Sequence, residues 1–150
     1  MRTITKTIRF EMAHVLSNYQ GRCGNLHGHS YICNVTFTAE DLKKDGNDAN
    51  MIVDLKEVKD IANIVIDPMD HAYAYNKNTT DPYEQELIAL ELKWNKRVVA
   101  FETRTTAEQM SEYILNKINE ILKERNLYDQ VKCYSVQLYE TATGCATTTL

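Results

Sequence analysis

The chain carries four histidines, at positions 14, 27, 29 and 71, and three of them are close in sequence. His27 and His29 flank Gly28, so on a strand both imidazoles face one side, one pleat apart. His14 ends the preceding apolar alternation with the same parity, and pairing the two segments as a hairpin brings its ring to theirs. Three neutral imidazoles with a fourth position open form the pattern of a catalytic zinc site, where the metal is a Lewis acid toward a bound oxygen. A structural site would be closed by a fourth ligand, and Cys23, four residues before His27, can supply one on spacing. For a single histidine the plainer reading is a buried ring bonded to backbone carbonyls. A His-x-His pair with a third imidazole on the neighbouring strand favours a metal.

The elements that must position these rings follow from periodicity. Residues 3 to 14 place Ile4, Ile8, Phe10, Met12 and His14 at even positions against Thr3, Thr5, Thr7, Arg9 and Glu11, which predicts a half-buried strand broken only by Lys6. Residues 27 to 39 alternate again, with His27, His29, Tyr31, Cys33, Val35 and Phe37 on one face. The connection Val15 to Leu26 holds Asn18, Gly21, Gly24 and Asn25, which suit a long hairpin loop, and it contains Cys23. Asp54 as N-cap with Glu57 opens a helix with Leu55, Val58, Ile61, Ala62 and Val65 at helical spacing, and Asp67-Pro68 ends it. The stretch Met69 to Asn78 reads as irregular, Tyr83 to Trp94 as a short helix and Arg97 to Glu102 as a strand. Thr105 or Thr106 caps a long helix with a stripe of Met110, Ile114, Ile118, Ile121 and Leu122, ending near Asn126. Residues 131 to 140 form the last strand, with Tyr134, Val136, Leu138 and Glu140 on one face. This order predicts an α+β domain spanning residues 1–150, a four-stranded antiparallel sheet with two main helices on one face.

Composition narrows the function. Seventeen Lys+Arg against 21 Asp+Glu give a net charge of −4, which argues against a nucleic-acid partner. No apolar run exceeds four residues, as in Val98 to Phe101, far short of a membrane span. The opening Met-Arg-Thr-Ile-Thr-Lys alternates at once and lacks the apolar centre of a secretory signal, so a cytoplasmic location is expected. The four cysteines, Cys23, Cys33, Cys133 and Cys145, read as thiols in such a compartment.

The stretch Cys23-Gly-Asn-Leu-His27-Gly-His29-Ser-Tyr, with Glu11-Met-Ala-His14 before it, resembles the 6-pyruvoyltetrahydropterin synthase superfamily. The resemblance continues through Val53-Asp54-Leu-Lys, Met69-Asp70-His71, Thr106-Ala-Glu108-Gln and Tyr139-Glu140-Thr, and so spans nearly the whole chain. Three residues between the cysteine and the first histidine resemble the branch of 6-carboxy-5,6,7,8-tetrahydropterin synthase, the queuosine-pathway enzyme. The chain departs from that branch in Met69-Asp70-His71-Ala-Tyr-Ala-Tyr-Asn76 and in an extended segment, about Lys77 to Phe101, before the Thr-x-Glu motif. The resemblance implies a tunnelling fold whose sheets join into a barrel in a homo-oligomer, commonly a hexamer, with active sites between subunits. It implies 7,8-dihydroneopterin triphosphate as substrate and 6-carboxytetrahydropterin, acetaldehyde and triphosphate as products. The pyruvoyl-forming reaction at the same site is the alternative. A non-catalytic oligomeric module with structural zinc, closed by Cys23, is a third reading.

Within that resemblance each residue acquires a role. His14, His27 and His29 are the zinc ligands. Cys23 is the general base, a thiolate favoured by nearby metal charge; without the family match it is equally an ordinary loop thiol. Asp70 and His71 supply a proton relay, since a carboxylate orients an imidazole and holds its charged form. Glu140 ends the last strand among apolar side chains, and a pterin offers a ring N–H beside an amino group, a donor pair that fits a carboxylate fork. Thr106 and Glu108 occupy the family's second pterin motif, although they also make an ordinary helix start. The triphosphate needs cations, for which Arg22, Arg97 and Arg104 are the candidates.

Overall fold

The computed structural model describes residues 1–150. Strand β1 (Arg2–His14) pairs antiparallel with β2 (His27–Ala39) over thirteen residues, in unbroken register from Arg2↔Ala39 to His14↔His27. Alternation decides what this pair buries: Phe10, Met12, Tyr31, Cys33, Val35 and Phe37 join the core, while Thr5, Thr7, Arg9 and Glu11 lie outside. Helix α1 (Leu55–Ile66) starts as read, with the Asp54 side chain accepting from the Lys56 amide at 2.7 Å, and buries Val58, Ile61, Ala62 and Val65. Helix α3 (Ala107–Glu124) is capped by Thr106, whose hydroxyl accepts from the Gln109 amide at 3.3 Å. Its stripe of Met110, Ile114, Leu115, Ile118 and Leu122 packs with α1 into the same core.

The sheet corrects the four-stranded antiparallel expectation. Six strands lie in the order β4-β3-β1-β2-β5-β6, and the sheet is mixed. Strand β3 (Ala72–Asn76) runs parallel to β1, and β4 (Val98–Phe101) runs parallel to β3. Strand β5 (Lys132–Thr141) and a terminal β6 (Gly144–Thr149) extend the other edge antiparallel. Strand β3 runs opposite to β2, the strand before α1, and so lies parallel to β1, while the helix between β3 and β4 acts as a crossover that returns the chain for a second parallel strand.

Helix α2 (Pro82–Lys93) forms near its expected position, capped by Asp81, and makes three helices in place of two main ones. Its contact with the sheet is to Tyr73, which the register Ala13↔Tyr73 places on the face opposite His14. No helix is long and apolar enough to cross a membrane.

Candidate metal and pterin site

The register sets His14 directly across from His27, with His29 across from Met12. Ring centroids lie 4.6 Å apart for His14–His27, 4.9 Å for His27–His29 and 5.3 Å for His14–His29. One ligand nitrogen from each ring falls within 4.8 Å of the others, and Cys23 is not in this cluster. His14 Nδ1 lies 2.9 Å from the Thr105 carbonyl and His27 Nδ1 lies 2.7 Å from the Asn25 carbonyl. A carbonyl only accepts, so both rings carry the proton on Nδ1 and present the Nε2 lone pair. The Nε2 atoms of all three histidines are buried with no hydrogen-bond partner. Orphaned buried acceptors are costly, and a cation at their convergence satisfies all three at once. Burial pushes the His14 pKa down to about 4, and burial likewise lowers that of His29 against the opposing charge of Glu140. Both favour the neutral, ligating form.

Glu140, part-exposed, reaches the histidine cluster. Its Oε1 lies 3.3 Å from His14 Nε2 and 3.5 Å from His29 Nε2, which sets the carboxylate at the rim of the histidine cluster. A cavity of about 350 Å³ beside it is lined by Leu16, Thr106, Glu108, Glu140, Thr141 and Cys145. The fold thus brings the three expected pterin-binding residues to one cavity.

Cys23 is half-buried in a one-turn 3₁₀ segment, Arg22–Gly24, in the β1–β2 connection. Its carbonyl accepts from the Leu16 amide at 2.9 Å. A Cβ on Gly24 would come within 2.4 Å of the Tyr19 carbonyl oxygen, so the turn closes this tightly only with glycine.

Asp70 and His71 are outside the three-histidine group. Asp70 Oδ1 accepts from the Glu11 amide at 2.8 Å and sits 3.0 Å from His71 Nδ1. The Glu11 N–H first, then His71 and Arg97, hold the Asp70 pKa below the usual carboxylate range. The cleft of about 600 Å³ there is lined by Glu11, His29, Ser30, His71, Lys96 and Arg97, among others, so His71 shares it with one of the clustered histidines. The His71 side chain is 74% exposed, and its backbone adopts a left-handed φ of 58°.

Of the three candidate arginines, Arg97 donates through Nε to the Asp70 carbonyl at 2.6 Å and through its terminal nitrogen to the Asp67 carbonyl, and so braces the turn before β3. Arg104 lies over the Tyr19 ring at 5.6 Å. Sequence reasoning missed Thr105, which is fully buried and fixes the His14 ring. The sequence offered it only as an alternative to Thr106 for the helix cap. Cys145, which lines the cavity at Glu140, was also missed because the strand carrying it was not seen.

The 6-pyruvoyl tetrahydropterin synthase family model matches residues 3–149 of the chain. A 6-carboxy-5,6,7,8-tetrahydropterin synthase of Haemophilus influenzae is 35% identical over 142 residues, covering 94% of this chain and 94% of that one. A protein of the same name from Aquifex aeolicus is 30% identical over 159 residues, covering 95% and 94%. The crystal structure of the 6-pyruvoyl tetrahydropterin synthase of Plasmodium vivax superposes with a TM-score of 0.69 at 16% identity, over 99% of this chain and 98% of that one, a likeness of fold.

Proposed function

Because the chain belongs to the 6-pyruvoyl tetrahydropterin synthase family, we propose that it is a zinc-dependent carbon–oxygen lyase that, to release acetaldehyde, also breaks a carbon–carbon bond of the side chain. It converts 7,8-dihydroneopterin triphosphate and water to 6-carboxy-5,6,7,8-tetrahydropterin, acetaldehyde and triphosphate. The observation that carries this reading is the convergence of three buried, unpartnered Nε2 atoms, two of them aimed by carbonyls behind the ring. The names of the Haemophilus and Aquifex relatives favour the carboxy product. The pyruvoyl-forming reaction is the alternative at the same site, and it releases no acetaldehyde.

His14, His27 and His29 would hold the zinc, which as a Lewis acid makes C–H and O–H bonds beside coordinated side-chain hydroxyls more acidic. Cys23 takes the proton from carbon. The ionised Asp70 orients His71 and supports its charged form as it relays that proton. Glu140 and Glu108 offer carboxylates, and Thr106 a hydroxyl, to the pterin ring in the cavity they share. The 74% exposure of the His71 side chain supports a site completed by His71 of a neighbouring copy in a homo-oligomer, with a hexamer favoured.

Incubation of zinc-loaded protein with dihydroneopterin triphosphate tests the reaction. Acetaldehyde in step with triphosphate supports the carboxy route, and triphosphate alone supports the pyruvoyl route. Metal analysis tests the ligands: His27→Ala and His29→Ala should each lose most of the zinc, and full retention in both sinks the site. Cys23→Ser should keep zinc and lose turnover, whereas loss of zinc would mark a structural site that Cys23 closes.

A further inference from the structure

Helix α2 belongs to the segment that departs from the family pattern, and a polar contact anchors it. Its one buried residue is Glu84, at 0% exposure, while Tyr83, Leu90 and Leu92 on the same helix are exposed. The Glu84 carboxylate accepts from Ser17 Oγ at 2.7 Å and from the Tyr73 hydroxyl at 3.1 Å, and none of the protein's ion pairs includes it. An acid buried without a cation is an expensive anchor, for which an apolar side chain of similar size would serve better. Its use is therefore to be sought in what it holds.

Ser17 lies in the β1–β2 connection, and the segment around Glu84 grips that connection several times. Asn76 Nδ2 donates to Ser17 Oγ at 3.3 Å, the Asn18 amide donates to Asp81 Oδ2 at 2.8 Å, and Asn18 Nδ2 donates to Thr80 Oγ1 at 3.0 Å. Asn18 itself takes a left-handed φ of 57°. The residue before Ser17 completes the path, because the Leu16 amide bonds the Cys23 carbonyl at 2.9 Å. Two hydrogen bonds and one peptide unit thus join the buried acid of α2 to the backbone of Cys23.

We propose that Glu84 is a positioning residue: by fixing Ser17 from α2, it sets where the β1–β2 connection presents the Cys23 thiol. This rests on the reading of Cys23 as the base. It also gives the extended segment a task, that of a brace on the loop carrying the thiol.

The test uses zinc-loaded full-length protein and the variants Glu84→Gln and Ser17→Ala, with Ser17→Thr as the conservative return of the hydroxyl. Each of the first two should keep its zinc and its KM for dihydroneopterin triphosphate while kcat falls about tenfold or more, because displacement of a catalytic group acts on the chemical step. Alkylation of Cys23 by iodoacetamide, followed peptide by peptide, should change by about threefold or more, since access governs thiol reactivity, with Cys145 unchanged. Ser17→Thr should restore both readouts. The double variant should be no worse than the poorer single one, as expected for partners in one path. If Glu84→Gln does not fold, Ser17→Ala decides alone. Unchanged kcat and unchanged Cys23 alkylation, with only a lower Tm, would reduce Glu84 to an anchor and overturn the proposal. Cys23→Ser with full turnover would instead remove the base assignment, while the alkylation readout would still report whether Glu84 positions the loop.

Discussion

Burial sets His14 apart from the other histidines, with a relative exposure of 1% and a pKa pushed down to about 4. Because the unfolded chain binds a proton near the ordinary value of 6.5, lowering the pH favours unfolding. The contribution is fully present above about pH 6.5 and is lost as the pH falls toward 4. Metal-free protein should therefore lose on the order of 3 kcal/mol from this group between neutral pH and pH 4. Urea unfolding at several pH values checks this, and His14→Leu should remove that part of the slope; an identical slope in both proteins contradicts it. Glu140 carries a second prediction. Glu140→Gln turns one acceptor into a donor amide and should weaken binding of a non-reactive pterin about tenfold or more, with zinc retained. Calorimetric titration measures it, and parent-like affinity would return Glu140 to a bystander. The histidines were legible because strand parity is a rule of covalent geometry. The Glu140 contact with them was not, since it depends on how β5 lies against β2.

The elements differ in how openly the sequence states them. Strands β1 and β2 and helices α1 and α3 each bury one face and expose the other, and that contrast is written in their alternation. Strand β3 escaped because Ala72-Tyr-Ala-Tyr-Asn76 shows little contrast, with Ala72, Tyr73, Ala74 and Asn76 all buried. Strand β6 escaped for the opposite reason. Gly-Cys-Ala-Thr-Thr-Thr is an edge strand without an apolar face, recognisable only once β5 is there to pair with. The start of α3 illustrates two adjacent threonines with different duties, Thr105 behind His14 and Thr106 on the helix end. Thr106→Ala should cost about 1 kcal/mol of stability through loss of the cap. Thr106→Asp should recover it in thermal unfolding, and a neutral alanine variant would show that the cap contributes nothing.

At the scale of the whole molecule, the histidine cluster and Glu140 lie together, while Asp70 is bound to the backbone amide of Glu11 and the neighbouring His71 side chain is largely exposed. On the proposed reading a neighbouring copy supplies His71, so association completes the site. Protein lacking the relay (His71→Ala) and protein lacking the thiol (Cys23→Ser) should each be inactive alone. After mixing, unfolding and refolding together, they should regain a fraction of parental turnover through mixed assemblies. Failure to regain any, with mixed assemblies verified by mass, would place the whole relay within one chain.

The unbroken pairing of β1 with β2 has a consequence for folding. Moving either strand by a single residue past the other would turn one side of the hairpin over, leaving His14 across the sheet from His27 and His29. The native alignment gathers the three nitrogens that a one-residue slip would separate, so a cation that binds them stabilises that alignment over those slipped ones. A metal held by these histidines would thereby act as a gauge of strand alignment as the hairpin forms, well before any substrate arrives.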